Sequence, residues 1–363
     1  MSDEEFSDMS SLSSMGSGDE DDLELLLDEP RVKNQNYLEH TVTQYSQEEF
    51  FEHFRLSRGT VDGLVERFEA SQYYNSQEGQ HATISALHQV LIYLWYIGHQ
   101  TCSFRDVGDR FNITISSVHR IIHRMTYFLS NLSPDVIKWP NQNEKTISEQ
   151  HFRANGFPDV IGAIDGSHIK IDKPENDPES YINRKGFYSI QMQLVCDHRR
   201  KITDIFIGYP GSVHDSRVFR NSPLHTNLEE RCGRYFLLGD SGYPLQANLL
   251  TPYKDRGNLT RRQRNYNLKL AKNRYVVEHC FGILKQKFRQ MYHVKLRNIR
   301  LICNMIRAAC VLHNIAIDDN IFNIEPLNQN PPEQLHEIND DDDNVDDVGV
   351  RAIRDRVANT LQL

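Results

Sequence analysis

The sequence lacks the features that would place it in a membrane or outside the cell. No apolar run reaches the roughly 20 residues needed to span a bilayer. The acidic N-terminus has no apolar core of the kind found in signal peptides. The six cysteines are scattered and form no CxxC pair. We therefore expect an intracellular protein with reduced thiols and no membrane association.

A zinc site is the one metal-binding pattern that the cysteines suggest. Cys303, Cys310 and His313 lie within a single short segment. Structural zinc sites are usually built on closely spaced ligand pairs, and no such pair accompanies these residues. We interpret the segment as a core helix, with zinc binding as the weaker alternative.

Basic residues are missing from both ends of the chain. Residues 1–30 hold 11 acids and no Lys or Arg, and residues 318–349 hold another 11 acids and again no Lys or Arg. Residues 31–317 carry 38 bases against 27 acids, although the net charge of the whole chain is −9. A basic body fits a polyanionic partner, and charge that serves only solubility is the alternative.

The composition predicts six segments. Residues 1–30 and 318–349 are too acidic and too poor in apolar residues to form a core, so we expect disordered tails. Such tails either screen the basic body, bind a partner or have no specific role. Between and after the tails we predict four ordered or linking parts: a helical region at 31–130, a linker at 131–157, an α/β domain at 158–317 and a short helix at 350–363.

A helix-turn-helix pattern lies at residues 103–125. Phe104, Val107 and Phe111 mark a first short helix, and Thr114 is placed to cap a second one. The second helix should bury Ile115, Val118, Ile121 and Ile122. Its outer face would carry the DNA-binding candidates Ser117, Arg120 and Arg124. Helix packing without DNA is a serious alternative, because the same geometry is also a packing solution.

The pattern changes to strands after residue 158. Three apolar segments at 160–171, 188–197 and 201–211 have short connections, which predicts an antiparallel meander. A helix at 214–230 and a fourth strand at 234–244 follow. A basic segment then leads into a helix at 275–291, and the last apolar helix ends near residue 317.

Four acids occupy positions suited to binding divalent cations. Asp165 interrupts the first strand, Asp215 follows the third, and Asp240 ends the fourth. Glu278 lies on a helix, where 100° per residue places it on one face with Arg274, Gly282, Lys285 and Arg289. An ordinary surface glutamate is the alternative interpretation of Glu278. The element order suits a ribonuclease-H-like α/β fold, whose chemistry needs carboxylates gathered at adjacent strand ends.

Six segments occur in an order that is known from one family: "AIDGSHIKI", "YINRKGFYSIQMQLVCD", "GYPGSVHDSRVF", "LLGDSGYPL", "VVEHCFGILKQKFR" and "AACVLHN". In these segments the chain resembles the PIF/Harbinger transposases and the nuclease-like proteins derived from them. The resemblance covers roughly residues 40–317, with Ser167 where the family usually has Thr.

The resemblance implies a ribonuclease-H-like DDE nuclease domain, preceded here by the all-helical helix-turn-helix region. By motif, the catalytic triad is Asp165, Asp240 and Glu278, with Asp215 as a further metal ligand. The family chemistry implies two Mg²⁺ or Mn²⁺ ions that cleave DNA phosphodiester bonds. The cations expected to hold the DNA backbone are Arg184, Lys185, Arg274, Lys285 and Arg289.

Two classes of function stay open at the level of sequence. The first is a metal-dependent DNA nuclease or transposase, which the intact acids favour. The second is a catalytically silent, domesticated protein that keeps the fold and binds DNA or a partner. The resemblance also implies a Myb/SANT-type protein partner, and we expect a homo-oligomer and a location in the nucleus as well as the cytoplasm.

Overall fold

The computed structural model describes residues 32–74, 84–100, 102–319 and 348–361. The two predicted acidic tails lie almost wholly outside these residues. Only their edges are described, because Asp318 and Asp319 end one helix and Val348 and Gly349 begin another. The N-terminal part is helical: α1 Gln47–Phe54, α2 Arg58–Glu69, α3 Ala86–Gly98, α4 Phe104–Phe111, α5 Ile115–Asn131, α6 Ser133–Val136 and α7 Gln142–Ala154.

Local capping signals set the starts of these helices. Ser46 and Glu49 form a reciprocal capping box at α1. The Thr114 side chain accepts a hydrogen bond from the backbone N–H of Ser117 and so caps α5, as predicted. Asn112 ends α4 in the left-handed conformation that asparagine tolerates. The predicted inward face of α5 is wrong at one position: Ile115 is 45% exposed, since the start of α5 is exposed at Thr114 and Ser116 as well.

The sheet is mixed and built around one long central strand, β1 Val160–Ile171. The predicted meander is confirmed, because β2 Ser189–Cys196 pairs antiparallel with β1 and β3 Ile202–Pro210 pairs antiparallel with β2. On the other side of β1, β4 Phe236–Leu238 runs parallel to it and β5 Leu249–Leu250 runs parallel to β4. The spatial order is therefore β3-β2-β1-β4-β5.

Helices cover both faces of this sheet. The predicted helix after β3 is two helices, α8 Asp215–Arg220 and α9 Pro223–Cys232, which pack on one face. The opposite face is covered by α10 Arg261–Lys287 and, after the short strand β6 His293–Val294, by α11 Ile299–Asp319. The last described helix, α12 Val348–Thr360, packs against α10.

The helical part and the sheet share one hydrophobic core. Helix α11 packs against α5 and against β3, so it belongs to both parts. By length and composition α11 is the one described helix that could cross a membrane, but most of it is buried inside the fold. Cys310 and His313 are among its buried residues, as expected of a core helix.

Candidate active site

Strand pairing brings Asp165 and Asp240 to the same level of the sheet. Ala163 of β1 pairs with Leu238 of β4 in parallel register. Asp165 lies two residues after Ala163, and Asp240 lies two residues after Leu238. The two acids therefore follow the last paired residues side by side. Strand β4 ends at Leu238, which leaves Asp240 in a loop that opens beside β1.

Asp215 is the first residue of α8 and approaches the sheet from the face that α8 and α9 cover. Glycine at position 166 permits this approach, since a Cβ there would overlap the Oδ1 atom of Asp215. A Cβ on Gly242 would lie 3.1 Å from Oδ1 of Asp240 and 3.7 Å from Oδ2 of Asp215. The two carboxylates therefore flank the same small space at Gly242.

Helix α10 contributes Glu278, and Arg274 on the same helix links this acid to Asp165. Arg274 donates from Nη1 to Oδ2 of Asp165 at 2.9 Å, and its Nη2 forms an ion pair with Oε1 of Glu278. The Arg274 side chain is 6% exposed. One guanidinium thus joins an acid of the central strand to the acid of the helix.

Burial and mutual repulsion disfavour the charged forms of two of these acids. Burial raises the pKa of Asp165 to about 8, helped by Asp240 and Asp215 and opposed by Arg274. Burial and Asp240 raise the pKa of Asp215 to about 6, opposed by its hydrogen bond from Gln191. Closely placed carboxylates with raised pKa values mark a candidate functional site.

Comparison with known proteins identifies the family. Residues 164–314, which include all four acids, match the family model described as DDE superfamily endonuclease. The chain is 30% identical to "Putative nuclease HARBI1" of Rattus norvegicus over 262 residues, which cover 70% of this chain and 73% of that protein. The chain belongs to the Harbinger-derived nuclease family. No solved structure gives a significant match.

Two further relatives are similar over comparable lengths. "Putative nuclease HARBI1" of Bos taurus is 29% identical over 262 residues, 70% of this chain and 73% of that protein. "Protein ALP1-like" of Arabidopsis thaliana is 26% identical over 306 residues, 79% of this chain and 74% of that protein. The similarity therefore extends beyond the matched endonuclease segment.

The residues predicted to bind DNA occupy separate places in this Harbinger-family chain, and the first group lies beside the carboxylates. Arg184 and Lys185 are exposed near the carboxylates, and Arg184 contacts the ring of His214, the residue before Asp215. Lys285 is partly buried, and its Nζ donates to Oγ of Ser167 at 2.8 Å. These three stand at the edge of the acidic cluster.

Two predicted cations occupy different positions. Arg274 is buried between the carboxylates instead of lying on the surface, so its described contacts are with the chain's own acids. Arg289 is exposed but follows the end of α10 at Lys287, so it does not continue the helical face of Glu278. The 100° spacing fails there because the helix has stopped.

The helix-turn-helix candidates lie on α5 of the N-terminal part. Arg120 is exposed and its Nη2 lies 3.5 Å from Oγ of Ser117. Arg124 donates to Oε1 of Gln89 at 3.2 Å, which ties it to α3. These residues are close to one another, and the carboxylates lie on a separate set of elements: β1, the loop after β4, α8 and α10.

Sequence patterns did not reveal two polar residues beside the acids. Gln191 on β2 donates from Nε2 to Asp215, while its Oε1 is buried without a partner in the described part of the chain. The Tyr243 hydroxyl is also buried without a partner there. Burial, then Asp215, Asp165 and Asp240, raise the pKa of this phenol well above its usual value. The signal available in the sequence was a glutamine within an apolar strand and a tyrosine three residues after Asp240.

The donor chemistry of the site fits a hard divalent cation. Carboxylate oxygens are the protein ligands that Mg²⁺ and Mn²⁺ prefer. Asp240 lies close enough to raise the pKa of both Asp165 and Asp215, and Asp215 also raises that of Asp165. Across residues 32–74, 84–100, 102–319 and 348–361, no three His, Cys, Asp or Glu side chains are already arranged as a metal cage. Arg274 takes one oxygen each of Asp165 and Glu278, so a cation would share these carboxylates with it.

Proposed function

We propose that this chain is a divalent-metal-dependent nuclease that cleaves phosphodiester bonds of DNA. The observation that carries the proposal is the convergence of Asp165, Asp215, Asp240 and Glu278 from four separate elements within the segment that matches DDE endonucleases. Gathered, partly desolvated carboxylates are destabilising for a fold unless a charged ligand compensates them.

Asp165, Asp240 and Glu278 would hold the metal, with Asp215 as a further ligand. When bound, two Mg²⁺ or Mn²⁺ ions would activate a nucleophile and stabilise the leaving oxygen. Arg274 pairs with Asp165 and Glu278 and would hold these carboxylates in place, as outer partners of metal ligands commonly do.

The fold that we propose is ribonuclease-H-like. Its support is a three-strand meander continued on the far side of β1 by two parallel strands, with helices on both faces. For α4 and α5 we propose a DNA-binding helix-turn-helix, supported by the tight Asn112 turn and the exposed Arg120. We also propose the domain limits predicted from the composition, a location in the nucleus as well as the cytoplasm, a Myb/SANT-type partner and a homo-oligomer.

A silent DNA- or partner-binding protein is the second candidate function. One observation favours it: Arg274 already compensates Asp165 and Glu278 through ion pairs within the chain. A protein that had lost the reaction would keep such pairs for stability and would bind DNA equally well after Asp165→Ala.

Nicking of a supercoiled plasmid with Mn²⁺ or Mg²⁺ distinguishes the two candidates. We expect the wild type to nick and Asp240→Asn to be inactive, because a metal ligand has been removed. The matched control is Asp204→Asn, which removes a half-buried carboxylate that pairs with Arg231 away from the site. No nicking by well-folded wild type, or full activity of Asp240→Asn, would refute the nuclease.

A further inference from the structure

A tight turn places two exposed cations beside the carboxylate site. Residues 183–187 connect to β2, and the turn is closed by hydrogen bonds from Asn183 N to Phe187 O at 3.0 Å and from Gly186 N to Asn183 O at 2.9 Å. Gly186 has φ +77°, a conformation that favours glycine. Arg184 and Lys185 are thereby held at the tip of the turn.

The side chain of Asn183 fixes the shape of this turn. Asn183 is 5% exposed. Its Oδ1 accepts from the backbone N–H of Lys185 at 3.0 Å, and its Nδ2 donates to Oγ of Ser189 at 3.1 Å. An amide that bonds the backbone two residues ahead stabilises the turn, and here the same amide also anchors the turn to β2.

The network continues to the two elements that carry Asp165 and Glu278. Ser189 Oγ lies 3.1 Å from Nδ1 of His168, which is on β1. Lys285 of α10 donates from Nζ to the backbone oxygen of His168 at 3.1 Å and to Oγ of Ser167 at 2.8 Å. The basic turn, the central strand and the helix are therefore linked by one chain of hydrogen bonds.

Three cations converge at this network. Burial lowers the pKa of His168, and the charges of Lys285, Lys185 and Arg184 lower it further. Burial and then Lys185 lower the pKa of Lys285 to about 8. The hydrogen bonds of Lys285 are to neutral oxygens, so they do not offset its charge. Like charges gathered in this way are stabilised by an anion.

We propose that Arg184, Lys185 and Lys285 form one phosphate-binding site beside the carboxylates, and that Asn183 is the residue that positions it. The ligand is a phosphate of the DNA backbone next to the bond that is cleaved. This inference rests on the proposed function. Asn183 touches no substrate; it acts by holding the turn that presents Arg184 and Lys185.

The test is a double-mutant cycle on DNA affinity. Binding of a fluorescein-labelled DNA duplex in EDTA is measured at several salt concentrations, so cleavage does not intervene. We expect Asn183→Ala to weaken binding about tenfold in the wild type and less than about twofold in the Arg184→Ala/Lys185→Ala background. The double variant should lower the steepness of the salt dependence by up to about one, because the single phosphate loses two of the three cations that neutralise it.

A pair of glycine variants separates positioning from general stability. Gly186→Ala and Gly233→Ala both place a side chain at positive φ, +77° and +60°, and neither added Cβ has a neighbour within 4 Å. The two variants should be destabilised to a similar extent on heating. Only Gly186→Ala should weaken DNA binding, because Gly233 lies at the end of α9.

The outcomes are distinct. An equal decrease in affinity from Asn183→Ala in both backgrounds, or equal effects of the two glycine variants on binding, would overturn the positioning role while DNA binding stands. A well-folded wild type that does not bind the duplex would overturn this phosphate-binding site, whereas the absence of nicking with Mn²⁺ or Mg²⁺ would overturn the proposed function on which it rests.

Discussion

Arg274 is the side chain that compensates the candidate site within the chain. It is almost completely buried and pairs with Asp165 and Glu278. Arg274→Met keeps much of the side-chain volume but removes the cation that two partly buried acids share. At pH 9, where Asp165 is charged, we expect the free energy of unfolding to fall by about 3–5 kcal/mol, measured by urea denaturation.

Arg153→Met is the control for this arginine. Arg153 pairs with Glu149, but its own side chain is 58% exposed, so its removal should destabilise the fold much less than the removal of Arg274. Mn²⁺ should recover part of the stability that Arg274→Met removes, since a cation can replace the missing charge. Similar destabilisation by the two variants would contradict the role assigned to Arg274.

The raised pKa of Asp165 predicts a pH dependence of stability. Its carboxyl has a pKa of about 8 in the fold against an ordinary value of 3.8, so the folded state retains a proton that the unfolded state releases. Stability without divalent ions should therefore fall as pH rises from about 4 to about 8. Asp215, with a pKa of about 6, contributes over the lower part of this range.

Thermal unfolding in EDTA across this pH range checks the dependence. Asp165→Asn should reduce the fall in stability with rising pH, because the neutral amide does not titrate. Glu175→Gln, at an exposed acid outside the site, should leave it unchanged. An unaltered decline in Asp165→Asn would show that another group causes it.

Helix α10 shows how far an element could be predicted from the sequence. The segment that leads into the predicted helix at 275–291 is itself helical from Arg261 onward. The first half of α10 buries few residues, among them Tyr266 and Leu270, so its apolar periodicity is weak. The capping box of Thr260 and Gln263 was the local signal for the true start.

The candidate site also has features that local sequence predicts and features that depend on long-range contacts. Strand patterns placed Asp165 within β1 correctly, because a break in an apolar run is a local feature. The predicted fourth strand at 234–244 was too long: β4 spans only Phe236–Leu238, so Asp240 lies two residues beyond the strand end. The Arg274–Asp165 pair joins residues 109 positions apart. Sequence spacing alone cannot define such a contact, which depends on how α10 packs against β1.

Replacement of Gly282 in α10 should have opposite effects on the stability of the fold and on DNA binding. Gly282 lies one turn after Glu278, and an added Cβ would meet nothing within 4 Å. Gly282→Ala should raise the free energy of unfolding by about 0.5–1 kcal/mol, as expected in a helix interior. We also expect weaker DNA binding, because the methyl group narrows the approach to Glu278.

Gly63→Ala in α2 is the matched control, since it too has open space at Cβ. It should give a similar increase in stability, measured by urea denaturation, with no change in DNA binding. Unchanged DNA binding by Gly282→Ala would mean that this face of α10 does not meet the substrate.

At the scale of the whole molecule, the acids are embedded in a shared core. The cluster that packs α10 against β1 extends through α11 to the N-terminal helices. A ligand that draws Asp165, Asp240 and Glu278 together therefore acts on elements that belong to this core. Binding of such a ligand should therefore raise the free energy of unfolding of the described fold.

Divalent cations should consequently raise the melting temperature of the wild type. At an ion concentration about 100 times the dissociation constant, the expected stabilisation is about 2.7 kcal/mol. The effect should be larger at pH 8 than at pH 5, because protonated acids bind metal poorly. Asp240→Asn should abolish most of this response, whereas Asp204→Asn should keep it. Melting that ignores both Mg²⁺ and Mn²⁺ at pH 8 would contradict a metal site at these carboxylates and would favour the silent binding protein, in which Arg274 is their permanent counter-ion.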